Sequence, residues 1–279
     1  MQSVDIPNAW WLSKRKKEEQ MLYEVLGSKE SPAILMFPGS FGSARMMQGY
    51  VDLLKEKFYV ITVTLDGCDG SGNSYTSKDE VIDKVLQKMK ELNISNIALL
   101  YGLSMGAANA LNFLYKCGKD GITVENILLD GPAVGKIGKL KTWFFDYMNK
   151  QQVKMMRSKT VEEYLASPMI SKITGGRPEV YRVYVEDMLN VCKDLTDVTS
   201  DTVTDTCTNQ PLKSIPVSLQ KHMHIWYGKD AMKMFFSKGL KKAYPDANYR
   251  DMSKYGHAMY CIMDPAGYVK DIEGLISKS

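Results

Sequence analysis

Ser104 has the sequence surroundings of a nucleophile. It lies in Gly102-Leu103-Ser104-Met105-Gly106, a Gly-x-Ser-x-Gly pattern that follows a predicted strand and opens a predicted helix. A sharp turn from strand to helix exposes the hydroxyl, and the flanking glycines let neighbouring backbone pass close by. The helix N-terminus points N–H groups and the positive end of its dipole at the same place. This context favours a nucleophile over a glycine-rich turn with a capping serine.

A serine hydroxyl needs a base, and the chain has three histidines that could supply one. His257 is favoured because it follows the last predicted strand and stands directly after Gly256. His222 and His224 are spaced as a metal-binding pair on one strand face would be, but no third ligand is suggested.

The base needs a carboxylate that orients it and stabilises the imidazolium. Asp230 fits best, because it follows a predicted strand and gives the chain order Ser, Asp, His. Asp130, at the end of the preceding predicted strand, is the competing candidate. Either residue could instead be a helix N-cap.

An oxyanion hole needs two converging backbone N–H groups, each worth about 2.7–4 kcal/mol. Met105 is expected to give one, because it directly follows the nucleophile. The other is expected from the small-residue loop at positions 37–43, with Ser40 first and Phe41 second. Cys68 could also be interpreted as a thiol nucleophile, but no histidine is near it in the sequence.

Five continuous apolar runs, each ending at a glycine-containing turn, predict the strands that position these residues. Continuous runs indicate strands buried on both faces, as in a parallel sheet covered by helices. A further predicted strand lies at 248–252, and helical patterns lie at 44–55, 78–92, 105–117, 232–243 and 265–277. The alternation predicts an α/β fold, a mostly parallel twisted sheet with helices on both faces. The five runs are 33–37, 59–65, 97–101, 124–129 and 224–227.

Residues 136–215 interrupt this alternation, because they contain helical patterns and no strand-like run between helices. We expect a core of residues 1–135 and 216–279, with 136–215 as a helical cap. Trp143, Phe144 and Met148 of the cap, with Phe41, are expected to line an apolar pocket. Lysines along the same stretch could touch lipid or an acidic partner, but a solvated helix face is favoured.

Composition excludes several classes of protein. The 279 residues carry a formal charge of only +4, spread along the chain, which gives no case for nucleic-acid binding. No long apolar stretch predicts a transmembrane helix, and the first residues do not resemble a signal peptide. Five widely spaced cysteines predict reduced thiols in a cytoplasmic protein, without a zinc site.

Together these motifs resemble the α/β-hydrolase superfamily, over nearly the whole chain outside the cap. Residues 21–28 resemble its N-terminal strand and turn, 37–43 its oxyanion loop and 70–74 its Gly-x-Gly-x-Ser segment. Pro38 stands where the family usually has histidine. Residues 244–248 and 256–257 also follow the family pattern, and Ser104, Asp230 and His257 match its triad in type and order.

The resemblance implies a carboxylesterase-like serine hydrolase that needs no metal or organic cofactor. The methionine and aromatic residues of the cap favour a small or medium apolar acyl substrate. Ester, thioester, amide and C–C bonds all stay open as the scissile bond. Two alternatives also remain, namely a ligand-binding protein of this fold with little turnover and an acyltransferase. The oligomeric state is not predicted.

Overall fold

The computed structural model of the protein describes residues 21–229 and 231–277, which are built around a twisted β-sheet. Its strands, in chain order, are β1 (Leu22–Leu26), β2 (Ala33–Phe37), β3 (Tyr59–Thr64), β4 (Asn96–Leu103), β5 (Thr123–Asp130), β6 (Met223–Tyr227) and β7 (Asn248–Asp251). They lie side by side in the order β1-β3-β2-β4-β5-β6-β7. Only β1 is antiparallel to its neighbour, and every other pairing is parallel.

The central strands are buried on both faces. All five residues of β2 and all six of β3 are buried. Successive side chains of a strand point to opposite faces, so burial of every position means that both faces of the sheet are covered. The continuous apolar runs therefore predicted these strands and the fold class correctly.

Helices cover the sheet and connect its parallel strands. In chain order they are α1 (Gln48–Leu54), α2 (Lys78–Glu91), α3 (Gly106–Cys117), α4 (Lys139–Arg157), α5 (Val161–Leu165), α6 (Pro168–Ile173), α7 (Arg182–Asp194), α8 (Asp197–Thr208), α9 (Val217–Gln220), α10 (Ala231–Ala243), α11 (Met259–Met263) and α12 (Pro265–Ile276). On the sheet, α1 packs against α12 and α2 packs against α3.

Two details differ from the expected helices. The pattern at 44–55 predicted one helix, but a 3₁₀ turn at Ala44–Met47 leads into α1. The short helix α11 was not predicted, because five residues are too few to show a helical repeat.

The segment between β5 and β6 is helical, as expected. Within residues 136–215, α4 packs against α7 and α8, and α7 also packs against the 3₁₀ turn of the core. An isolated bridge between Lys136 and Asn209 closes the base of this segment. Its division from the core at residues 136 and 215 stays a prediction. Among the described residues, no helix has both the length and the apolar character needed to cross a bilayer.

Candidate active site

Ser104 occupies a strained turn between β4 and α3. Its φ is +53°, a left-handed conformation that residues other than glycine seldom adopt. A Cβ atom on Gly102 would lie 2.5 Å from the carbonyl oxygen of Gly106, and one on Gly106 would lie 2.3 Å from that of Phe37. Both glycines are therefore required by close backbone approach, as the Gly-x-Ser-x-Gly pattern predicted.

Main-chain hydrogen bonds hold this turn against the neighbouring strand. The Ser104 N–H donates to the carbonyl oxygen of Asp130 at 2.8 Å. The Ser104 carbonyl oxygen accepts from Ala107 and Ala133 N–H groups, each at 3.1 Å. The conformation of the serine is thus fixed by the end of β5 as well as by its own helix.

His257 is brought to Ser104 from the loop between β7 and α11. Its Nε2 atom lies 2.9 Å from Ser104 Oγ, within hydrogen-bond distance. The imidazole also lies against Gly131, where a Cβ atom would be 2.7 Å from Cε1 and 2.8 Å from Nδ1. The structure therefore joins two of the three predicted triad residues in the geometry of a nucleophile and its base.

The loops after β6 and β7 run in contact with each other. Lys229 N–H donates to the carbonyl oxygen of Tyr255 at 2.8 Å, and a Cβ atom on Gly228 would lie 2.5 Å from that of Gly256. Asp230, the predicted third member of the triad, lies outside the described residues. Lys229, which directly precedes Asp230 in the sequence, is thus hydrogen-bonded to Tyr255, two positions before His257.

Asp130 belongs to a buried network of tyrosines. The Tyr268 hydroxyl donates to its Oδ2 at 2.7 Å and lies 3.0 Å from the Tyr101 hydroxyl. Tyr101 in turn lies 3.0 Å from the hydroxyl of Tyr50. Burial, followed by the charge of Asp130, raises the pKa of Tyr101 and Tyr268 well above 10. Both phenols therefore stay protonated and can serve as donors.

The predicted oxyanion loop lies beside the nucleophile. A Cβ atom on Gly39 would be 3.5 Å from Cβ of Ser104, so the loop backbone passes close to the serine. Phe41 is 1% exposed and has φ of +57°, whereas Ser40 is partly exposed. Met105 is buried at the start of α3. The N–H groups of Ser40 and Met105 remain the predicted donors.

The predicted pocket residues are in different surroundings. Phe41 is buried, whereas Trp143 is 63% exposed and stacks on Tyr147. Phe144 is 44% exposed and packs against Phe235. Met148 lies in an open groove of about 390 Å³ between α4 and the α5–α6 region. Their role as pocket residues stays a prediction.

The structure does not support Cys68 as a nucleophile or His222 and His224 as a metal-binding pair. Cys68 is 2% exposed, and burial, then the nearby charge of Asp187, raises its pKa far above that of an ordinary thiol. A thiol with such a pKa is not a ready nucleophile. His224 lies in β6 with His222 just before it. Within the described ranges, no group of three or more His, Cys, Asp or Glu side chains could hold a metal ion.

Two features of this region were missed from the sequence. One is the tyrosine network, and the other is Asp187 of α7, which hydrogen-bonds Ser43 of the oxyanion loop. Their partners lie 138 and 144 positions apart in the chain. No local pattern of residues marks either pair, so only the folded chain reveals them.

Comparison with known proteins identifies the fold. No protein-family model matches the chain, and no curated protein matches its sequence. Among solved structures, a carboxylesterase from Nitrososphaera gargenis is 17% identical with a TM-score of 0.68, covering 92% of this chain and 95% of its own. Esterase RhEst1 from Rhodococcus sp. is 15% identical with a TM-score of 0.66, covering 92% and 94%.

A third similar structure is a protein from Desulfitobacterium hafniense assigned to the alpha/beta hydrolase family. It is 15% identical with a TM-score of 0.70, covering 91% of this chain and all of its own. These likenesses extend over almost the whole chain. The chain therefore has the α/β-hydrolase fold.

Proposed function

We propose that the protein is a serine hydrolase that cleaves a carboxylic ester, or a related acyl bond, of a small or medium apolar substrate. The observation that carries this proposal is the 2.9 Å contact between His257 Nε2 and Ser104 Oγ, made at a strained strand-to-helix turn. Esterases among the similar structures support an ester as the scissile bond.

The proposed reaction has two acyl-transfer steps. His257 takes the proton from Ser104 as the hydroxyl oxygen attacks the substrate carbonyl, and the N–H groups of Met105 and Ser40 stabilise the resulting oxyanion. His257 then gives that proton to the leaving group as its bond to the acyl carbon breaks. Water, deprotonated by His257, attacks the acyl-enzyme, and Ser104 leaves with the proton to release the acid.

Asp230 is the proposed orienting carboxylate and remains ionised throughout. Two observations support it over Asp130. The backbone just before Asp230 is bonded to the loop of His257, and Asp130 already accepts a hydrogen bond from Tyr268. Neither proposed step needs a metal or an organic cofactor.

We also propose that residues 136–215 form a cap over the site and that Trp143, Phe144 and Met148 contact the apolar part of the substrate. The exposure of Trp143 and Phe144 leaves them accessible to a ligand. In ester hydrolysis, Trp143→Ala and Phe144→Ala should then have a higher KM than the wild type. The increase in KM should be larger for esters with longer acyl chains. A uniform effect across lengths would contradict this pocket.

The five cysteines support the expected reducing compartment. All five are free and buried, so none forms a disulfide bond within the described residues. We therefore retain the cytoplasm as the proposed location.

The deciding experiment is covalent labelling with a fluorophosphonate, located by mass spectrometry. We expect an adduct on Ser104 in the wild-type protein and none in Ser104→Ala, which should keep its fold and lose about 10⁴-fold or more in turnover. Ser171→Ala, at an exposed serine of α6, is the matched control and should label as the wild type does.

A panel of esters and thioesters, graded by acyl length, follows the labelling. Thioesters are included because one similar structure is the type II thioesterase BorB, 15% identical with a TM-score of 0.63. Added alcohols or amines would reveal acyl transfer. A folded protein that binds such ligands but neither labels nor turns over would contradict the proposed hydrolase and favour the binding protein.

A further inference from the structure

Asp187 is a buried carboxylate that links the helical segment to the oxyanion loop. It lies on α7 and is 4% exposed. Its Oδ2 atom accepts the Ser43 backbone N–H at 2.7 Å, and its Oδ1 atom accepts the Ser43 hydroxyl at 2.5 Å. Both oxygens therefore bind one residue, which fixes the orientation of that residue as well as its position.

The loop has little room at this contact. A Cβ atom on Gly42 would lie 3.2 Å from Asp187 Oδ2 and 2.3 Å from Cε of Met46. Phe41, two positions before Ser43, is held in a left-handed conformation that costs about 1–3 kcal/mol and persists only when its surroundings enforce it. The two hydrogen bonds that Asp187 accepts from Ser43 hold the backbone two positions from this residue.

Other contacts hold the two ends of the loop but leave its centre to the helical segment. Gly39 N–H donates to Sδ of Met46 at 3.3 Å, and Ala44 N–H donates to Oγ1 of Thr64 at 2.9 Å. Between these positions, Cys207 of α8 lies near Ser40: burial raises the pKa of its thiol, and the Ser40 hydroxyl lowers it. Asp187 of α7 therefore supplies the hydrogen bonds that hold the middle of the loop, with Cys207 of α8 beside it.

A second, weaker link runs beside the first. Glu186, the neighbour of Asp187, forms an ion pair with Arg45 at 2.8 Å. Both of these side chains are partly exposed to solvent, and such pairs contribute little to stability. The buried hydrogen bonds of Asp187 are therefore the contact that can fix the loop geometry.

We propose that Asp187 is a positioning residue that, through Ser43, holds the oxyanion loop with its N–H groups directed at the carbonyl oxygen attacked by Ser104. The inference rests on the proposed function. It also makes the oxyanion hole depend on docking of α7, so that the core alone does not complete the site.

The experiment compares Asp187→Asn, Ser43→Ala and the double variant with Asp194→Asn. Asp194 is an exposed aspartate on the same helix, so its substitution is the matched control. Ester hydrolysis gives kcat and KM, and exhaustive titration with a fluorophosphonate gives the number of active sites to which kcat is normalised. Circular dichroism checks the fold of each variant.

We expect kcat per active site to fall about 10-fold in Asp187→Asn, since loss of a whole oxyanion donor costs about 10²–10³-fold. KM should change by no more than about threefold, because the loop acts on the transition state rather than on the bound ester. Ser43→Ala should likewise lower kcat per active site with little change in KM. The double variant should have a kcat no lower than that of the slower single variant, because both substitutions break the same contact. Asp194→Asn should match the wild type.

A merely structural role would lower the number of active sites and leave kcat per site unchanged. That result, in folded Asp187→Asn with a wild type that labels at Ser104, would overturn the inference and leave the proposed hydrolase intact. If Asp187→Asn does not fold, Ser43→Ala decides in the same way. Absence of labelling in the wild type would instead refute the proposed function, and this inference with it.

Discussion

Gly131 and His257 are packed so closely that any side chain on the glycine would meet the imidazole. A Cβ atom there would lie 2.7 Å from Cε1 and 2.8 Å from Nδ1. The same glycine has φ of +56°, and its N–H donates to the carbonyl oxygen of Trp226 at 2.8 Å. The end of β5 therefore forms one wall of the histidine site.

Gly131→Ala should displace His257 from Ser104. We expect kcat to fall about 10²-fold, the effect of a misplacement of about 1 Å, with a loss of stability of about 1–2 kcal/mol from the left-handed backbone. Gly121→Ala is the matched control, because Gly121 has φ of +73° and open space around its Cβ position. Ester kinetics and urea unfolding measure both effects, and equal kcat values in the two variants would contradict the prediction.

Substitution of the two candidate carboxylates should separate catalysis from stability. Asp230→Asn is expected to lower kcat about 10⁴-fold and keep the fold, as loss of an orienting carboxylate does. Asp130→Asn should mainly reduce the free energy of unfolding, because the buried carboxylate accepts a hydrogen bond from Tyr268. Ester kinetics together with urea unfolding test this assignment. A large loss of kcat in Asp130→Asn and a mainly structural effect in Asp230→Asn would make Asp130 the orienting carboxylate instead.

Tyr268→Phe should destabilise the protein through the loss of one hydroxyl. The ring contacts with Tyr50 and Trp226 are retained, but Asp130 loses a donor in a buried site. We expect the free energy of unfolding to fall by about 1–3 kcal/mol. Tyr147→Phe, at the exposed Tyr147 of α4, should change it little, and equal losses would show that the hydroxyl network is unimportant.

The stability difference between Asp187→Asn and the wild type should depend on pH. Burial has the largest effect on the pKa of Asp187 and raises it above the ordinary 3.8. The hydrogen bonds from Ser43, the charge of Arg45 and the Met46 N–H lower this pKa, but by less than burial raises it. A carboxyl with a raised folded pKa stabilises the fold below its unfolded pKa and loses that contribution as pH rises through the folded value.

Asparagine does not titrate, so Asp187→Asn does not lose stability as the pH rises through the pKa of Asp187. The free energy of unfolding of Asp187→Asn relative to the wild type should therefore increase from about pH 4 toward neutrality. The other titratable groups around Asp187 are Glu24, Cys68, Tyr184 and Cys192, whose pKa values are raised by burial and further by the charge of Asp187. Glu186 is its charged neighbour in the chain. Urea unfolding of both proteins across this range measures the difference. A difference independent of pH would show that Asp187 titrates as an ordinary aspartate.

The strands were predictable because a parallel sheet covered on both faces requires continuous apolar sequence. Residues 33–37 became β2 without change, and the run at 97–101 became the centre of the longer β4. The beginning of the helix predicted at 44–55 was not predictable in the same way. There, Ser43 caps a 3₁₀ turn and is itself bound by Asp187 from a distant helix.

The exposed aromatic residues of α4 show a related limit. Trp143, Phe144 and Tyr147 recur at helical spacing, which in the sequence indicates packing or a pocket. In the structure α4 buries Phe145, Asn149, Val153 and Met156, whereas Trp143, Phe144 and Tyr147 are exposed. Apolar spacing identifies a face of a helix but not what lies opposite it.

The sequence by itself identified the turn that carries Ser104, because its Gly-x-Ser-x-Gly pattern follows an apolar run and Gly102 is required by the backbone of its own turn at Gly106 and Ala107. The need for glycine at position 106 comes from Phe37, a distant residue that only the fold brings there. The sequence also supplied His257 as a candidate base, through its place after the last strand. The 2.9 Å contact between the side chains of Ser104 and His257 was decided by the tertiary structure, and so were the hydrogen bonds that Asp130 and Asp187 accept from Tyr268 and Ser43. Such contacts depend on how strands and helices far apart in the chain pack together, and no local pattern of residue types records that packing.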